Sequence, residues 1–177
     1  MSFSERTGDM FAADDLDALA HGVNTVGVMG GIAGKFASEY PEMAEHYKGL
    51  CDRKEFKAGQ VFPWQEKGKP MVYNLATQEK PGADAQYKYV KKTIKNMLGH
   101  ANSIGIKKIG IPQIGCGIGG LEWNKTKNII QNVAKSSPVE VVAFSYEPTK
   151  PSFKSFAFYD QDNDWWSDND SDWYNKQ

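Results

Sequence analysis

Little in this 177-residue chain points to metal or redox chemistry. Two cysteines are too few for a disulfide framework, and together with three histidines they show no metal-ligand spacing. The formal net charge is only −1, which carries no signature of a surface that coats nucleic acid. No apolar run is long enough to span a bilayer, and no secretory signal pattern opens the chain. These absences predict a protein without metal or cofactor, away from membranes, in the reducing cytoplasm and monomeric.

The charge that is present is unevenly placed. From residue 151 onward six Asp and two Lys give −4, so the first 150 residues carry +3. Length and composition predict one domain over residues 1–150. The stretch 151–177 is different, with Trp165, Trp166, Trp173 and Tyr174 set among Asp, Asn and Ser. Without aliphatic residues to build a core it reads as a flexible tail, and its tryptophans suit docking to a protein partner.

Two glycine-rich loops dominate the remainder. The first runs Val28-Met29-Gly30-Gly31-Ile32-Ala33-Gly34, and the second runs from Ile111 through Gly115-Cys116-Gly117-Ile118-Gly119-Gly120 to Leu121. Each follows an apolar run and precedes a helical pattern. Glycine permits sharp turns and close approach of backbone N–H groups to a ligand. A following helix adds unpaired N–H groups and the positive end of its dipole. Two such loops can close on one diphosphate from both sides, which points to a nucleotide-like ligand.

The pattern around them alternates. Residues 2–7, 17–23, 60–64, 70–76, 107–112 and 139–146 read as strands, with 60–76 as a hairpin. Helices are predicted from Gly31 to about Tyr40, from Pro41 to about Arg53, over 84–103 and over 122–135. Alternation of this kind predicts a three-layer α/β/α sandwich with a mixed, largely parallel central sheet. Ligands in such sheets bind at the carboxyl ends of the strands, where both glycine loops begin.

Four blocks in order carry a resemblance. They are Thr7-Gly8-Asp9-Met10; His21-Gly22-Val23-Asn24 with Gly30-Gly31-Ile32-Ala33; Tyr73-Asn74-Leu75-Ala76-Thr77; and Ile111 through Trp123. Over about residues 5–146 the chain resembles a macro domain, the ADP-ribose-binding α/β/α module. Within that superfamily it is most similar to the branch holding the terminal ADP-ribose–protein glycohydrolase, the DNA-ADP-ribose glycohydrolase antitoxins and the yeast ADP-ribose 1''-phosphate phosphatase.

The resemblance implies ADP-ribose or a derivative as ligand. It implies that Asp9 accepts the adenine amino group, that the Met10 N–H contacts the ring, and that Phe144 stacks near it. Gly30, Gly31, Ile32 and Ala33, facing Gly115, Cys116, Gly117, Ile118 and Gly119, would hold the diphosphate and distal ribose. Glycohydrolase relatives place a lysine where this chain has Gln78, with Lys80 two residues on. The human-type enzyme has an aspartate at the position of Gly119. The His-x-x-Asn spacing of His21 and Asn24 is similar to that of the phosphatase, with His21 a general acid or base and Asn24 a positioning amide. Removal of the 1''-phosphate from ADP-ribose 1''-phosphate is therefore the expected reaction. Glycohydrolysis of ADP-ribosylated protein or nucleic acid, and ligand capture without turnover, are the alternatives.

Overall fold

A computed structural model describes residues 2–145. The segment 151–177, expected as a tail, lies outside the described residues. The strands are β1 (Phe3–Thr7), β2 (Ala18–Val23), β3 (Val61–Trp64), β4 (Met71–Ala76), β5 (Lys108–Ile111) and β6 (Glu140–Ser145). The helices are α1 (Ile32–Glu39), α2 (Pro41–Asp52), α3 (Tyr87–Ser103) and α4 (Trp123–Ala134).

The strands form one sheet in the order β1-β6-β5-β2-β4-β3. Every pairing is parallel except β3 with β4, the predicted hairpin. Sheets covered on both faces read as continuous apolar runs rather than alternating ones. All six residues of β4 are buried accordingly.

Strand alternation decides which side chains reach which layer. Ala18 and Ala20 of β2 and Tyr73 and Leu75 of β4 face α3 and α4, against Ile94, Met97 and Ile130. Leu19 and Val72 face the other layer, against Phe36 of α1 and Met43 of α2. Each fully buried side chain of this size contributes roughly 1.5–3 kcal/mol relative to its exposure.

Local signals explain most boundaries. Pro41 occupies the first turn of α2, where its missing N–H costs no helix bond. Asp9 caps a short 3₁₀ turn, Met10–Ala12, its Oδ1 accepting from the Phe11 N–H at 2.9 Å. The largest boundary difference is at α3, which starts at Tyr87 rather than residue 84. The Asp84 carboxylate instead accepts from the Glu79 and Lys80 N–H groups, at 3.0 and 2.9 Å. Those charge-assisted bonds hold Asp84 below its ordinary carboxylate range.

Candidate functional site

A cavity of about 370 Å³ opens where β2, β4 and β5 end, within the size range of small-molecule sites. Asn24, Val28, Gly30, Ile32 and Ala33 form one wall, and Gln113 through Cys116 with Ile118 and Gly119 form the opposite one. Thr77, Gln78, Pro81 and Gly82 supply a third side. The two glycine loops thus face each other across one space.

Backbone geometry makes glycine necessary on both walls. Gly31, which leads into α1, has φ +56°, and Gly115, Gly117 and Gly120 have φ +76°, +63° and +87°. Side-chain-bearing residues pay about 1–3 kcal/mol to hold such a conformation. In the second loop Cys116 N–H donates to Gln113 O, Gly119 N–H to Cys116 O and Leu121 N–H to Gly115 O. Among the described residues, the N–H groups of Gly117 and Ile118 donate to no protein oxygen. Consecutive free N–H groups in a turn form a concavity suited to an anion.

Asn24 shapes the first loop from within. Its Oδ1 accepts from the N–H groups of Val26, Gly27 and Val28 at 3.1, 3.0 and 3.3 Å, and its Nδ2 donates to Val28 O at 2.8 Å. The hydroxyl of Tyr47, buried in α2, donates to Asn24 O at 2.8 Å and Oδ1 at 3.0 Å. The acceptor capacity of the carboxamide is spent on the loop, and one Nδ2 hydrogen remains for the cavity. Asn24 therefore serves as a hydrogen-bond donor there and not as an acceptor.

Gln78 is committed in the same way. Its Nε2 donates to Lys80 O and, at 2.9 Å, to Gly82 O, which folds the 78–84 segment onto itself. Lys80 is exposed and is not among the cavity-lining residues. Gly119 has little room for a larger side chain. A Cβ there would sit 3.0 Å from the Ala85 Cβ and 3.3 Å from Gln78 Oε1.

His21 also requires correction. Its ring is fully buried, stacked at 3.9 Å on Phe36, and Nε2 lies 2.7 Å from Asn74 Oδ1. Since a carboxamide oxygen only accepts, Nε2 carries the proton, and Nδ1 is left with no partner. Burial pushes the imidazole down to about 4, so it is neutral at pH 7. The cause of its misplacement is parity. Gly22 lines the cavity, so the preceding side chain on the strand points to the opposite face.

The adenine-side expectations fare differently from one another. Asp9 is exposed, its Oδ1 capping the Phe11 N–H and its Oδ2 lying 3.8 Å from Lys35 Nζ on α1. Met10 and Phe144 are buried in the core beside Leu16. The Arg6 guanidinium lies over the Phe144 ring at 5.1 Å. None of Asp9, Met10 and Phe144 lines the cavity itself.

Electrostatically the cavity is neutral. Its lining contains no Asp, Glu, Lys, Arg or His, and Cys116 is its single residue with a titrating thiol or amine. Burial pushes the Cys116 thiol up to about 11, so it stays protonated and unreactive. Among the described residues no group of three or more His, Cys, Asp or Glu is placed to hold a metal ion. No described helix is long and apolar enough to cross a membrane.

Comparison with known proteins places this geometry. The family model of the macro domain matches residues 20–130, a span that includes both glycine loops. A DNA ADP-ribosyl glycohydrolase of Mycobacterium tuberculosis is 31% identical over 147 residues, covering 81% of this chain and 41% of that protein. The chain thus spans well under half the length of that relative. Human ADP-ribose glycohydrolase OARD1 is 27% identical over 139 residues, covering 78% of this chain and 88% of that one. Among solved structures, the macrodomain of Thermus aquaticus DarG superposes with a TM-score of 0.73 at 27% identity, covering 82% of this chain and 98% of that one.

Proposed function

The chain belongs to the macro domain family, and we propose that its cavity captures the ADP-ribosyl group through its diphosphate and distal ribose. The observation that carries this reading is the pair of facing glycine loops around a space with no ionised side chain. Backbone N–H groups neutralise a diphosphate as fixed dipoles, with no titratable partner required. Asn24 adds one donor toward the ribose, and Asp9 outside the cavity offers an acceptor toward the adenine amino group.

Chemistry at the captured group is the finer question. Removal of a 1''-phosphate by His21 finds no support, because that ring is fully buried and does not line the cavity. Hydrolysis through a lysine adduct has no amine on the cavity wall, since Gln78 occupies that position and Lys80 lies outside. Binding without turnover by those two routes is thus the favoured reading. A second reading, slow hydrolysis of an ADP-ribosyl bond, draws support from the names of the glycohydrolase relatives. It would rely on a water oriented by neutral groups and by the substrate's own hydroxyls.

Calorimetric titration with ADP-ribose tests the capture directly. The expected result is one site per chain. Absence of heat in a folded sample would refute it. Incubation with ADP-ribose 1''-phosphate, ADP-ribosylated protein and ADP-ribosylated oligonucleotide then separates the reactions. Phosphate release that depends on His21 would overturn the placement of that residue behind the strand.

A further inference from the structure

The net charge of −1 conceals a sharp segregation. Between Ala85 and Val139 there are nine lysines and a single acidic residue, Glu122, so these 55 residues carry +8. The rest of the chain carries −9. Neither α3 nor α4 contains any Asp or Glu.

The fold places this charge on one layer. Lys88, Lys91, Lys92 and Lys95 occupy the exposed face of α3 at three- and four-residue spacing. Among the described ion pairs none involves these four, whereas Lys125 pairs with Glu122 and Lys127 with Glu5. Between α3 and α4 lies a groove of about 600 Å³, lined by Lys91 and Lys95, by Asn102 and Asn132, and by the apolar Leu98 and Ile129. At the head of α3 stand two half-buried rings, each with an ammonium over its face. Lys88 Nζ is 5.1 Å from the Tyr89 centroid and Lys125 Nζ 5.9 Å from that of Tyr87. That head is joined by only a few residues to Pro81 and Gly82 of the cavity wall.

We propose that the α3–α4 face binds a single strand of nucleic acid, its phosphates along the α3 lysines and its bases against Tyr87 and the groove. Lysines free of ion pairs beside a half-buried ring and an apolar groove are a combination that holds unstacked strands. An acidic polypeptide would use the ammonium groups but not the aromatic–basic pairing. The proposal concerns a surface outside the ADP-ribose cavity and goes beyond the reading of that cavity.

The test uses the full chain and a fluorescein-labelled 20-nucleotide oligothymidine carrying no ADP-ribose, followed by anisotropy. Binding is expected at 50 mM salt, with a slope of log K against log salt between about −2 and −3 if three or four phosphates are neutralised. The double change Lys91→Glu, Lys95→Glu should lower affinity at least tenfold and leave the ADP-ribose titration unchanged. Excess ADP-ribose should not displace the strand. Any of four results would overturn the proposal: no binding, binding indifferent to the double change, displacement by ADP-ribose, or binding seen only after the six Asp beyond residue 151 are changed to Asn. The last result would assign the face to the chain's own acidic segment. Failure of the ADP-ribose reading shows separately, as loss of calorimetric heat while strand binding persists.

Discussion

Replacing Tyr47 by Phe removes one oxygen atom from a residue that does not itself line the cavity. The hydroxyl nevertheless donates to two oxygens of Asn24, at 2.8 and 3.0 Å, and Asn24 in turn organises the N–H groups of three successive loop residues. Tyr47 is fully buried, and burial raises its phenol far above the ordinary range, so it acts as a neutral donor at every working pH. Removing such a donor leaves the buried Asn24 O short of a donor and takes one partner from Oδ1, at a cost of about 1–3 kcal/mol. Melting should therefore fall by roughly 3–9 °C for a domain of this size. The decisive readout is local. Amide exchange at Val26, Gly27 and Val28 should accelerate, because their shared acceptor loses its anchor. Affinity for ADP-ribose should fall by roughly 5–20-fold, equivalent to about 1–1.8 kcal/mol of the same penalty. Affinity for AMP, which lacks the distal phosphate and ribose, should change less than twofold. A lowered melting temperature with unaltered amide exchange and unaltered ADP-ribose affinity would refute the reasoning, and Tyr47 would then be core packing only.

Three further changes probe other parts of the molecule. His21 titrates near 6.5 unfolded and at about 4 folded, so between those values the unfolded state binds the extra proton and stability rises with pH. Acidification from pH 6.5 to 4 should cost about 3 kcal/mol through this group, and urea melts of His21→Leu should lack that component. Gly117→Val forces a β-branched residue into φ +63°; ADP-ribose binding should vanish in calorimetry while the circular-dichroism spectrum persists, and retained affinity would misplace the anion site. Gln78→Lys places an amine on the cavity wall and severs the bonds to Lys80 O and Gly82 O. Turnover of ADP-ribosylated oligonucleotide should rise above that of the unchanged chain, and an inert, folded variant that still binds ADP-ribose would show that an amine alone is insufficient.

Most of the fold was readable because its signals are local. The three- and four-residue repeat of Val90, Ile94, Met97 and Ala101 predicts α3 and its buried face, and those residues are buried. The helix head was not readable. Nothing in Ala83-Asp84-Ala85-Gln86 announces that the Asp84 carboxylate is spent on two amides upstream, or that Gln86 N–H donates to Thr77 O and holds the segment against β4. Those bonds depend on where the end of β4 comes to lie, which is tertiary information.

The site divides along the same line, with one exception. Glycine loops announce themselves because positive φ restricts the residue type, and six of the positions with φ above +50° lie in or beside the cavity-forming segments. The Asn24–Tyr47 lock gives no sequence signal, since its two halves stand 23 residues apart on different elements. His21 is the exception, because its error was avoidable. A strand reading Ala-Leu-Ala-His-Gly-Val is apolar on both faces, so hydrophobicity cannot orient the histidine, but size can. Ala18, Ala20 and Gly22 share one face, and at Gly22 even a Cβ would meet Thr77 Oγ1 at 2.7 Å. Small residues on that face leave room at the strand end for a ligand to approach the backbone. The small-residue face is thus the cavity side, and the histidine between two of its members must lie on the other.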